Sequence, residues 1–69
     1  MPDEKTVISI LKHYEEEEKK SALGGMAWDE VNWNMYYLFH DYNWTDEELI
    51  KEFPILTGGG KYLCHELKP

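Results

Sequence analysis

The segment Trp44-Thr45-Asp46-Glu47-Glu48-Leu49-Ile50-Lys51-Glu52-Phe53-Pro54 leaves this chain less freedom than any other stretch. Thr45 and Glu48 have the spacing of a capping box. The threonine hydroxyl takes the amide of Glu48, and the glutamate reaches back to the amide of Thr45. Trp44 and Leu49 stand at the two positions of a hydrophobic staple. Pro54 offers no N–H and disfavours helical backbone at the residue before it, so the spacing predicts a short helix from about Asp46 to Phe53. Leu49, Ile50 and Phe53 form its inward stripe.

A second helix is written upstream. Trp28, Val31, Met35, Leu38, Phe39 and Tyr42 recur at helical spacing and fall within an arc of roughly 100°, the core face of an amphipathic helix from Trp28 to Tyr42. Its other side carries Asp29, Glu30, Trp33, Tyr36, Tyr37, His40 and Asp41, a strip of rings bordered by carboxylates. Two readings of it stay open: a contact surface, or, with Trp33 and Tyr37 packed by the first helix and the C-terminal segment, a second half of the core. No lysine occurs between Gly24 and Trp44. A third helix is expected from Asp3 to Leu23, with Asp3 as N-cap and Val7, Ile8, Leu11 and Tyr14 on one face. Glu15 with Lys19 and Glu16 with Lys20 are i,i+4 pairs, and the run Glu15–Glu18 reads as a solvated face. Gly24-Gly25 is expected to stop that helix. Beyond Pro54 two readings stay open. Leu63, Cys64 and Leu67 suit a short helical face, while Ile55-Leu56-Thr57 and Tyr62-Leu63-Cys64 suit the arms of a β-hairpin turning at the glycines.

These elements predict one all-α domain over residues 1–69, a small three-helix arrangement closed by a short C-terminal helix or β-hairpin. The expected core is Val7, Ile8, Leu11, Tyr14, Trp28, Val31, Met35, Leu38, Phe39, Tyr42, Leu49, Phe53, Leu56 and Leu63. A chain this short buries only ~60% of the surface it exposes when unfolded, so the core must be rich. Three Trp, five Tyr and two Phe supply it, at about 150–250 Å² apiece. Cys64 is the only cysteine, so no disulfide within the chain contributes. The charged start, Met1-Pro2-Asp3-Glu4-Lys5, is unlike a signal peptide, and no run approaches the ~20 apolar residues that span a bilayer. A cytoplasmic protein with no membrane association is the expectation.

Charge narrows the function classes. Fourteen acids oppose seven bases for a formal net charge of −7, and all the bases are lysine. Without arginine the chain lacks the planar fork that clamps phosphates and reads guanine edges. Its field also opposes the phosphate neutralisation on which nucleic-acid affinity depends. Direct binding to nucleic acid is therefore not expected.

The motifs that suggest chemistry do not hold together. Gly58-Gly59-Gly60-Lys61 lacks the upstream glycine of a phosphate-binding loop, and Tyr62 stands where Ser or Thr would meet magnesium. Cys64-His65 are sequence neighbours, His13 with Glu17 is a lone i,i+4 pair, and His40-Asp41 is another lone pair. None has the spacing of a zinc site. Nothing positions Cys64 beside a histidine as a nucleophile, so no catalysis, metal or cofactor is expected.

The stretch from Trp44 to Thr57, with its Thr-x-Glu-Glu start and Pro-x-Leu-Thr end, resembles a turn of small helix-turn-helix proteins of the antitoxin type. That family is trihelical, with a further helix after the Pro-x-Leu-Thr turn. The resemblance implies helix–turn–helix geometry and a helical reading of residues 60–67. Here Gly58-Gly59-Gly60 follows instead, and the basic residues that would carry DNA binding are missing.

The expectation is a non-enzymatic, acidic protein-binding module. Its candidate contact residues are Asp29, Glu30, Trp33, Tyr36, Tyr37, His40 and Asp41, and its partner presents a basic surface. Inhibition of a basic nucleic-acid-handling enzyme, in phage counter-defence or toxin neutralisation, fits that size and charge. The alternatives are a helix-turn-helix transcriptional or antitoxin-like domain and a homodimer joined through the Trp33–Tyr37 face.

Overall fold

A computed structural model describes residues 3–20 and 23–61. These residues form three α-helices and no strand: α1 is Glu4–Lys19, α2 is Gly25–Asp41 and α3 is Asp46–Glu52. A turn at Gly58–Gly60 follows, with positive φ at all three glycines. The all-α, three-helix class is the one expected.

Each helix starts for a local reason. In α1 the Asp3 carboxylate accepts the amide of Thr6 at 3.2 Å, and Glu4 lies at the positive end of the dipole. The capping box of α3 is complete. Thr45 Oγ1 accepts the Glu48 amide at 3.1 Å, and Glu48 Oε1 accepts the Thr45 amide at 2.9 Å. At α2 the N-cap is Gly24, which has no side chain to offer. Gly24-Gly25 therefore opens α2 and does not end α1, which stops earlier at Lys19. Asn43 turns the chain from α2 to α3 with φ 58°, a left-handed conformation that asparagine tolerates, and the Trp44 amide donates back to the Leu38 carbonyl at 2.9 Å.

Val7, Leu11, Val31, Met35, Leu38, Leu49, Phe53 and Leu56 are fully buried together, all of them expected core residues. Ile8, Tyr14, Trp28, Phe39 and Tyr42, also expected there, are partly buried against that cluster. Leu63 lies outside the described residues. Trp44 packs against the core cluster that holds Leu49, and its ring stacks on Phe53 of the same cluster, with centroids 6.1 Å apart and planes 19° apart.

Side-chain contacts tie α1 to the third segment at a nearly constant sequence offset. Trp44 Nε1 donates to the Glu4 carboxylate at 2.7 Å, and Lys12 Nζ meets Glu52 at 3.2 Å while lying 5.7 Å above the Phe53 ring. Glu15 then accepts the amides of Ile55 and Leu56, both at 3.0 Å. The pairings 4–44, 12–52 and 15–55 advance in the same direction along both segments. Hence α1 and α3 run parallel, and α2 is the return stroke between them.

Two expectations are corrected here. Glu15 is not on a solvated face; it is only 7% exposed and holds the turn after Pro54. With Glu15 so engaged, Lys19 pairs with Glu16 at i,i+3 and 3.0 Å, in place of the expected i,i+4 pairs. The β-hairpin reading is also overturned at its first arm. Ile55–Thr57 is a turn whose Thr57 amide and hydroxyl both donate to the Phe53 carbonyl, at 3.0 and 2.8 Å. The second arm, Tyr62–Cys64, and the alternative C-terminal helix with Leu67 lie outside the described residues. No helix among those described is long and apolar enough to cross a membrane.

Candidate functional site

Along α2 the buried residues are Val31, Asn34, Met35 and Leu38. Asn34 is tolerated there because its Nδ2 donates to the Glu30 carbonyl one turn back, at 2.8 Å. The ring strip occupies the other side of the helix, as the periodicity requires. Trp33 is 54% exposed, which places it on the surface. Tyr36 and Tyr37 are half-buried, each with part of its ring against the core cluster. Asp29, Glu30 and His40 are exposed, and Asp41 is partly so.

The rings touch in sequence. Trp33 meets Tyr36 edge-on, centroids 6.0 Å apart and planes at 90°, and lies 6.3 Å from Tyr37 at a tilt of 34°. Tyr36 stacks on His40 at 5.1 Å and 16°. The result is a continuous run Tyr37–Trp33–Tyr36–His40 in which each ring is held by its neighbour. Rings held this way lose little further side-chain freedom when a partner covers them.

Two of the three flanking carboxylates are oriented by contacts within the fold. Glu30 Oε2 accepts the Tyr14 hydroxyl at 2.9 Å, a bond from α1 to α2 that raises the Tyr14 phenol above its usual range. The hydrogen bond is the main cause, with partial desolvation and the Glu30 charge adding to it. Asp41 Oδ1 lies 2.9 Å from His40 Nδ1. Tyr42, next to Asp41, also has a raised phenol, first through desolvation and then through the charges of Asp3, Asp41 and Glu4. The strip is thus an aromatic ridge in a negative field.

Met26 belongs to the same face and was not singled out from the sequence. It is 89% exposed and lies two turns before Trp33. The signal was available, because Met26, Trp33 and Tyr37 follow i, i+7, i+11. An apolar residue beside the glycines reads more readily as part of a loop.

Other places on the molecule offer less. The amides of Gly58, Gly59 and Gly60 donate to the carbonyls of Ile55, Pro54 and Thr57, so they are not directed at a phosphate. The cleft beside α1 is lined by Lys12, Glu15, Glu16, Lys19, Glu52, Pro54 and Ile55, and both its lysines are already paired with glutamates. Among the described residues no three His, Cys, Asp or Glu side chains are placed to hold a metal ion. Cys64 and His65 lie outside them.

Comparison of the chain with family models, with curated proteins and with solved structures finds no match.

Proposed function

We propose that this protein is a non-enzymatic binding module that docks through the α2 ridge onto a basic protein surface. Asp29, Glu30, Trp33, Tyr36, Tyr37, His40 and Asp41 make the contact. The observation that carries the reading is Trp33, a large ring left more than half exposed and braced on both sides by tyrosines. Trp and Tyr dominate the energetics of protein interfaces, and surrounding carboxylates favour encounter with positive charge. A module of this kind suits inhibition of a basic nucleic-acid-handling enzyme in the cytoplasm, as in phage counter-defence or toxin neutralisation.

The helix-turn-helix alternative fares worse on electrostatic grounds. A recognition helix presents its N-terminal residues to base edges between the phosphates of the major groove, and the first turn of α3 is Asp46, Glu47 and Glu48. Residues 62–69, over most of which the resemblance implies the further helix, lie outside those described.

The test is an affinity capture from host lysate, comparing wild type with a Trp33→Ala, Tyr37→Ala double variant whose helicity is verified. A basic partner should be retained by the wild type and bind the variant at least ~2 kcal/mol more weakly. Affinity should also fall as salt is raised. A basic partner held equally by both forms, or an affinity indifferent to salt, refutes the assignment.

A further inference from the structure

We propose that the occupant of the α2 ridge is a single arginine-bearing amphipathic helix of the partner, lying along α2 from Met26 to His40. This deepens the binding-module reading and rests on it.

The spacing of the exposed face argues for a helix. Met26, Asp29 with Glu30, Trp33, Tyr36 with Tyr37, and His40 recur every three to four residues, the period of a seam between two helices. A seam from Met26 to His40 is about 21 Å long at 1.5 Å per residue. It is also narrow, confined to one side of the helix. An extended strand or a loop tip crossing such a ridge would cover one turn of it, whereas a second helix packed at a shallow angle covers all four turns.

The chemistry of the ridge argues for arginine. Trp33 is the open ring, while one face of Tyr36 is covered by His40. Asp29 and Glu30 stand one turn before Trp33, within reach of a guanidinium laid on the indole. Arginine stacks on such a ring and donates to a carboxylate at once; lysine's compact ammonium cannot do both equally well. Met26, nine-tenths exposed at the start of the seam, offers an adaptable contact for an apolar residue of the same helix.

Charge also selects against a second copy of this chain. Self-pairing through α2 would cover Asp29, Glu30 and Asp41 with a surface that brings no lysine or arginine to meet them, since α2 has neither.

The experiment uses three synthetic peptides of about four to five helical turns. The first is an amphipathic helix of Leu, Ala and Arg with apolar residues at seam spacing. The second replaces Arg by Lys, and the third has a central proline. Each is titrated into the full chain while backbone amides are followed by NMR. The Arg helix should shift amides from Met26 to His40. The Lys helix should bind several-fold more weakly, and the proline peptide about tenfold or more. Met26→Ala, which changes no charge, should weaken the Arg helix several-fold.

Equal binding of the helical and proline peptides overturns the helix, and so do shifts centred on Glu16–Glu18 in place of α2. A dimer of the protein alone that Trp33→Ala dissolves also overturns it, by making the second copy the occupant. If no peptide binds while a lysate partner is still captured in a Trp33-dependent manner, the helical occupant is refuted and the module stands. If neither binds, both fall.

Discussion

Replacing Glu15 should damage this fold far more than replacing any other residue of its acidic run. Its carboxylate accepts two backbone amides at 3.0 Å, and the residue is 7% exposed, with Leu56 fully buried beside it. Hydrogen bonds to a charged acceptor are worth about 1.5–3 kcal/mol each, and a buried donor left without a partner costs about 1–3 kcal/mol. The Ile55 amide is partly exposed and regains some hydration from water, so the two losses do not add fully. Glu15→Ala should therefore destabilise by about 3 kcal/mol. That is a large share of a domain whose total is on the order of 3–10 kcal/mol at 0.05–0.15 kcal/mol per residue. Glu15→Gln keeps one acceptor but turns an amide donor toward the other N–H, and should cost about half as much. The control is Glu16→Ala. Glu16 is exposed and, among the described residues, pairs with Lys19, so its loss should stay within about 0.5 kcal/mol. Urea unfolding followed by tryptophan fluorescence measures all three. With a slope near 1 kcal/mol/M, Glu15→Ala should lower the midpoint by about 3 M or leave the chain unfolded without denaturant. A midpoint shift no larger than that of Glu16→Ala would show that Glu15 does not hold the turn.

Three further outcomes are expected. Thr45→Ala removes the hydroxyl half of the capping box and should cost about 1 kcal/mol in the same urea assay. Gly60→Ala should destabilise by about 1–3 kcal/mol, because φ is 106° and the new Cβ would sit 3.0 Å from Ile50 Cδ1; Gly25→Ala, with nothing within 4 Å, should be neutral or slightly stabilising. The Tyr14 phenol should titrate above its ordinary value of about 10, because its hydrogen bond to Glu30 favours the neutral form. Its contribution is thus fully present below the unfolded phenol's value and is lost as pH rises through the higher folded one. Tyrosinate absorbance of wild type minus Tyr14→Phe reads this directly, and Glu30→Gln should bring the value back down.

The parts of the fold that local rules decide were legible from the residues. The α3 capping box, the apolar stripes and the buried cluster depend on spacing within a few residues, and the fold has them as expected. Long-range events were not legible. Glu15 sits among four consecutive glutamates, and nothing nearby says that one of them will cap amides forty residues away. Gly24-Gly25 fits the end of one helix and the start of the next equally well, and only packing decides. Ile55–Thr57 has the β-branched and apolar character of a strand, but Thr57 spends its hydroxyl on the Phe53 carbonyl and bends the chain. For the ridge, the wheel placed Trp33 and Tyr37 together without telling surface from core. What separates them is α1, whose Tyr14 bonds Glu30 at the margin of the strip while Trp33 stays outside.

The parallel pairing of α1 with the segment after Asn43 has a consequence for the order of assembly. The α1–α2 bond from Tyr14 to Glu30 spans 16 residues. Every tie between Glu4, Lys12 or Glu15 and the third segment closes a loop of some forty residues. The entropy of that closure must be met before any of those contacts is rewarded. The α1–α2 hairpin should therefore be formed at the folding transition state, with the third segment docking afterward. Removing a tie such as Glu15 would then act as a loss of residence time, speeding unfolding while leaving the folding arm of a stopped-flow chevron nearly unchanged.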